Sequence, residues 1–262
     1  MDNVILLALV ATIGTWFITA MGAATVVFFK EGSPKAMNLM LGFSAGVMIA
    51  ASFWSLLSPA IERAEMYLSV PPWLVAAIGF AFGGGFMFLC DKAVRKISAK
   101  GETTRGISSS LLLVISITLH NIPEGLAVGV AFGAINQSVN MPEALMGAIS
   151  IAVGIGIQNF PEGAAVSVPL RREGYSRKKC FLIGQSTALV EPVAGVIGAA
   201  MVIHIQTMLP YALAFAAGAM MLVAVHELIP QAQEGRKEGS FLYTMGILGG
   251  FALMMILDVA LG

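Results

Sequence analysis

His120-Asn121-Ile122-Pro123-Glu124-Gly125 lies in the middle of one long apolar stretch, and Gln158-Asn159-Phe160-Pro161-Glu162-Gly163, offset by 38 residues, lies in the middle of the next. Each segment sets a carboxylate among neutral nitrogen and oxygen donors in sequence that otherwise reads as lipid-spanning helix. A charged side chain at bilayer depth costs roughly 2.5–3.5 kcal/mol on insertion scales, which marks both segments as functional. Reading outward from this pair predicts an all-α polytopic membrane protein.

The rest of the chain agrees. Of its 262 residues 57% are hydrophobic and 11% charged, whereas a soluble domain carries about 25% charged residues. Eight apolar runs, at 4–29, 36–57, 72–90, 108–134, 144–170, 180–203, 209–229 and 241–261, are long enough to cross roughly 30 Å of hydrocarbon. The first run has no basic segment before it and is too long for a signal peptide core, so it is expected to stay as a span. Residues 1–262 form one transmembrane domain in this reading, with 91–106 as a basic cytoplasmic loop.

Charge asymmetry orients the spans. With the N-terminus outside, the inner loops hold Lys30 and Lys35, then Lys92, Arg95, Lys96, Lys100 and Arg105, then Arg171, Arg172, Arg177, Lys178 and Lys179, then Arg236 and Lys237. That is 14 of the 15 basic residues, and only Arg63 is left outside. The positive-inside rule therefore predicts N-out and C-out, which requires an even number of spans. Scattered among four short loops, these residues do not make a nucleic-acid surface. No phosphate-binding Gly-x-x-x-x-Gly-Lys-Ser/Thr loop occurs, so nucleotide-driven pumping by this chain alone is not expected. Cys90 and Cys180 fall at cytoplasmic helix ends and form no metal motif.

Two internal echoes organise the spans. Aligning the central motifs matches Asn121/Asn159, Pro123/Pro161, Glu124/Glu162, Gly125/Gly163, Ala127/Ala165, Val128/Val166 and Val130/Val168. A weaker echo at an offset of 172 pairs Phe43/Phe215, Ala45/Ala217, Gly46/Gly218, Met48/Met220, Leu56/Leu228, Ala60/Ala232 and Glu62/Glu234. Both echoes join spans of opposite direction, the inverted-repeat pattern of secondary transporters with interrupted helices at the midplane.

Residues three and four apart share a helix face. His120 and Asn121 thus sit beside Glu124, and Gln158 and Asn159 sit beside Glu162. Pro123 and Pro161 each remove one backbone donor, freeing a carbonyl that is tolerated at this depth only where protein, water or an ion satisfies it. Glu191, followed by Pro192, adds a third intramembrane acid. Three carboxylates, one imidazole and several amides can neutralise one or two divalent cations, a richer set than helix–helix hydrogen bonding requires. Imidazole with carboxylate suits zinc, iron, manganese, cobalt or cadmium better than magnesium or copper(I). Met48 could add a thioether, although core packing competes for it. Asp91, His226 and Glu227, at the inner ends of their spans, could form a second, exit-side site.

These residues resemble the ZIP (Zrt/Irt-like) family of divalent-metal transporters, in its GufA-like branch. The resemblance spans essentially the whole chain. It is carried by His120-Asn-Ile-Pro-Glu124-Gly, Gln158-Asn-Phe-Pro-Glu162-Gly, Glu191-Pro192 and His226-Glu227-Leu-Ile-Pro. It implies eight transmembrane helices in a 3+2+3 inverted-repeat arrangement, homodimers, and a prokaryotic plasma membrane setting. It also implies a binuclear site with zinc as the leading substrate and cadmium, iron or manganese as others. His120, Glu124, Gln158 and Glu162 would make the first position, with Met48 as an extra ligand. Asn121, Asn159 and Glu191 would make the second, with Glu124 and Glu162 bridging. Family members often carry Asp at the place of Asn159, so the second position is expected to be weaker in this chain. The family's His-rich cytoplasmic loop has no counterpart, since 91–106 contains no histidine. The competing class is an intramembrane metal-dependent hydrolase, which needs one metal-bound water and an asymmetric acid–base partner. A duplicated, antiparallel site fits passage better.

Overall fold

The apolar runs fold as helices because lipid leaves every backbone donor and acceptor to be satisfied within its own segment. The computed structural model describes residues 2–28, 34–101, 109–138, 140–204, 206–233 and 241–261. Among these, eight helices are long and apolar enough to cross a membrane. They are α1 (Asn3–Val27), α2 (Lys35–Tyr67), α3 (Pro72–Lys96), α4 (Val114–Gly133), α5 (Met141–Arg171), α6 (Arg177–Val202), α7 (Leu209–Gln233) and α8 (Leu242–Ala260). The chain is an all-helical integral membrane protein. Lys30, Arg105, Glu234, Arg236 and Lys237 lie outside the described residues.

Two helices outrun the apolar patterns that announced them. α2 continues past residue 57 to Tyr67, because Ala60 and Ala64 stay fully buried one turn apart while charged residues occupy the other face. The helix containing α3 continues into the segment read as a loop, reaching Gly101, and Asp91 and Arg95 pair one turn apart at 2.8 Å within it. Apolar-run length measures the lipid-facing part of a helix, not the helix. α5 ends in a turn where Gly174 takes φ +93°, a backbone conformation that side chains with a Cβ rarely adopt. Ser176 then caps α6 by accepting from the Lys179 amide at 3.3 Å.

Three helices change pitch where polar chemistry sits. α2 contains a π segment at Ser52–Leu57, α7 one at Ala224–Leu228, and α6 a 3-10 turn at Thr187–Leu189 just before Glu191. Such irregular turns cost regular hydrogen bonds and are frequent at functional sites. The two π segments begin 172 residues apart, the offset of the weaker sequence echo. Ser55 and Glu227 occupy matching places in them, and both are buried.

Packing repeats in the same register. The helices pair closely as α2 with α8, α3 with α7, α1 with α5 and α4 with α6. Small residues bring backbones together without side chains between them. Gly79 and Gly83 of α3 lie against the Tyr211 and Phe215 carbonyls of α7. Gly246 and Gly250 of α8 lie against the Leu39 and Phe43 carbonyls of α2. Gly218 meets Phe80, as Gly46 meets Ile247. All three sets superimpose at offsets of 172 for α2 and α7 and 167 for α3 and α8. Likewise Gly125 of α4 lies against Glu191 of α6, and Gly163 of α5 against Thr19 of α1, again 172 residues apart. The repetition runs through contacts, not merely through letters.

Candidate metal centre

α4 and α5 run unbroken through Pro123 and Pro161 and bring their motifs together at the centre of the bundle. His120, Asn121, Glu124, Gln158, Asn159, Glu162 and Glu191 are all buried, Glu124, Gln158 and Glu191 completely. The Gln158 side chain donates from Nε2 to Glu124 Oε1 at 2.6 Å, and Asn159 Nδ2 donates to Glu191 Oε1 at 2.9 Å. Each amide of α5 therefore holds a carboxylate of another helix. Among the described residues no Lys or Arg forms an ion pair with Glu124, Glu162 or Glu191.

Hydroxyls from flanking helices complete the cluster. Thr15 of α1 donates to Glu191 Oε2 in a short hydrogen bond. Ser44 of α2 lies 2.9 Å from Glu162 Oε1 and 3.2 Å from the Gln158 carbonyl. Neither residue stands out in the sequence. The signal for Thr15 is the buried Thr12, Thr15 and Thr19 stripe on one face of α1, and for Ser44 its position one turn before Met48.

Among the described residues, four buried polar atoms of the cluster have no hydrogen-bond partner: Glu124 Oε2, Gln158 Oε1, Asn159 Oδ1 and Asn121 Nδ2. Three of these are oxygens. A buried polar atom without a partner costs on the order of 1–3 kcal/mol, so these three acceptors, one of them on Glu124, beside the two further acids Glu162 and Glu191 form a set that a hard or borderline cation suits. Among the described residues no three His, Cys, Asp or Glu side chains converge on one point. The donor set is mixed, with amide oxygens standing between the carboxylates.

The remaining expected residues divide. His120 Nε2 is 2.8 Å from Glu227 Oε1, and Ser116 Oγ donates to both oxygens of Glu227 at 3.0 and 3.2 Å. His226, adjacent in sequence, turns the other way and lies 3.4 Å from Asp91, which Arg95 also holds. Both neighbours lie in the π segment Ala224–Leu228. Met48 is fully buried in the apolar core, and the Ser52 hydroxyl donates to its carbonyl at 2.7 Å. At the opposite end of the bundle, Ser55 donates to Asp258 at 2.7 Å beside a cavity of about 570 Å³ that Glu62 and Glu143 also line.

Comparison with known proteins shows the family. The family model described as ZIP Zinc transporter matches residues 99–258. Zinc transporter ZIP11 of Xenopus tropicalis is 38% identical, over 98% of this chain and 98% of its own. Zinc transporter GufA of Myxococcus xanthus is 36% identical, over 97% and 98%. Zinc transporter ZIPB of Bordetella bronchiseptica is 32% identical, over 93% and 78%.

Proposed function

Since the chain belongs to the ZIP zinc transporter family, and is a transporter and not a hydrolase, we propose that it carries zinc into the cytoplasm through two adjacent cation positions at the centre of the bundle. His120, Glu124, Gln158 and Glu162 hold the first position, with Met48 able to swing in. Asn121, Asn159 and Glu191 hold the second, and Glu124 and Glu162 serve both. The observation that carries this reading is the set of unpartnered buried oxygens on Glu124, Gln158 and Asn159 beside three acids with no Lys or Arg counter-charge among the described residues.

The path runs from the cavity beside Asp258, past Glu162 and Glu124, to Glu227, His226 and Asp91 as an exit station. Sidedness follows from charge: Lys92, Arg171, Arg177, Lys178 and Lys179 cluster at the exit end, which the positive-inside rule makes cytoplasmic. The 3+2+3 inverted arrangement is supported by the recurring glycine contacts and by the matched π segments. Cadmium, iron, manganese and cobalt share the ligand preferences of this set and are secondary substrates. A prokaryotic plasma membrane and a homodimeric assembly complete the reading.

Purified protein in liposomes tests it. Zinc should accumulate without ATP, and an inside-negative potential should aid uptake by about 2.3 kcal/mol per charge per 100 mV if net charge moves. Strict dependence on nucleotide would overturn the proposal.

A further inference from the structure

We propose that Ser44 is the positioning residue that sets how Glu162 meets the cation, and that it makes the two halves of the duplicated centre unequal. Ser44 is fully buried on α2, and its hydroxyl lies 2.9 Å from Glu162 Oε1 and 3.2 Å from the Gln158 carbonyl. It has one proton for these two acceptors, so it links the carboxylate and the backbone of α5 at a single point. α2 packs most closely against α8, and α5 against α1. The hydroxyl therefore reaches from one helix pair to another.

The duplicated architecture makes this contact informative. At the offset of 172 that relates α2 to α7, the counterpart of Ser44 is Ala216, which is buried and has no hydroxyl. Glu162 thus has one oxygen oriented by a helix outside the motif pair. Glu124, its counterpart in α4, has its Oε1 held by Gln158, and among the described residues its Oε2 has no partner. Both carboxylates have one oxygen tied, but Glu124 is tied by Gln158, itself a proposed ligand, whereas Glu162 is tied by a hydroxyl outside the two motifs. Glu162 is thus anchored from outside the ligand set and Glu124 from within it.

This inference rests on the proposed cation site, and the test separates the two. Zinc uptake into liposomes is measured for the full chain carrying Ser44→Ala, Ser44→Thr, Ser44→Cys or Glu162→Ala, with cadmium uptake and ultraviolet absorption for Ser44→Cys. Losing one hydrogen bond to a charged group should raise KM for zinc about ten-fold in Ser44→Ala while maximal flux changes little. Ser44→Thr, which keeps the hydroxyl, should recover most of that loss. In Ser44→Cys a thiol stands beside Glu162, so cadmium should gain about ten-fold over zinc and give a thiolate-to-cadmium absorption band that the parent protein lacks. If Glu162→Ala disables uptake but all three Ser44 variants match the parent, the positioning role is refuted and the cation site stands. If Glu162→Ala takes up zinc normally, the site and this inference fail together. Loss of maximal flux in Ser44→Ala, with no absorption band in Ser44→Cys, would reduce Ser44 to a packing residue and refute the proposal.

Discussion

His120 Nε2 sits 2.8 Å from Glu227 Oε1, so the imidazole of the central motif is tied to the π segment of α7. The same imidazole is a proposed ligand of the first cation position, and with Nε2–H given to Glu227 its Nδ1 lone pair is left for the ion. Glu227 therefore acts as the carboxylate that orients a metal-ligating imidazole.

Glu227→Ala should remove that orienting contact. Loss of such a partner typically costs about 10–100-fold in metal affinity, so zinc should bind the centre about ten-fold more weakly and uptake at low zinc should fall. Calorimetric titration beside liposome uptake checks both halves. Unchanged or tighter zinc binding in Glu227→Ala would show that Glu227 does not orient His120 for the ion.

Asn159→Asp should change the second position in the opposite sense from a deletion. Asn159 now donates to Glu191 at 2.9 Å. An Asp there would accept only, and two carboxylates would face each other until a cation lies between them. The variant should gain more thermal stability from added zinc than the parent does, as ligand linkage requires when affinity rises. Melting curves with and without zinc are the measurement, and an unchanged shift would contradict a second position.

Gly125→Ala should destabilise the fold by about 1–3 kcal/mol through overpacking. A Cβ at Gly125 would come within 2.5 Å of the Glu191 carbonyl and 2.7 Å of its Cα, pushing α6 and its carboxylate away. Gly85→Ala meets nothing within 4 Å and should be neutral. Thermal unfolding of the two variants in detergent gives the comparison.

The proposed topology is open to labelling. With Cys90 and Cys180 replaced by Ser, a Cys at Lys92 or Lys178 should react only from the cytoplasmic side, and one at Glu65 only from outside. Labelling of the Lys178→Cys protein by an impermeant outside reagent would reverse the orientation.

The spans and the central cluster were legible because intramembrane polarity is expensive. Glu124, Glu162 and Glu191 interrupt apolar runs, where a charged side chain is costly and so stands out. The weaker echo was legible too, although only contacts such as Gly83 with Phe215 and Gly250 with Phe43 raise it above chance matching of small residues. What the sequence hid were partners whose chemistry is ordinary. Ser44 and Thr15 are common in transmembrane helices, and nothing local says that their hydroxyls reach Glu162 and Glu191. The division of His226 from Glu227 was hidden for a different reason. Adjacent residues of any helix face different ways, and which partner each one meets, Glu227 with His120 and His226 with Asp91, is decided by helices distant in sequence. The helical extension to Gly101 was missed because charged residues read as loop when only hydropathy is followed.

The most direct test of the account is zinc uptake by purified Glu124→Ala protein in liposomes, with bound zinc counted on the same sample. The account predicts near-complete loss of uptake and fewer bound ions, because a carboxylate shared by both positions is gone from a setting of low dielectric. Uptake equal to the parent, at matched protein content, would contradict the shared central site.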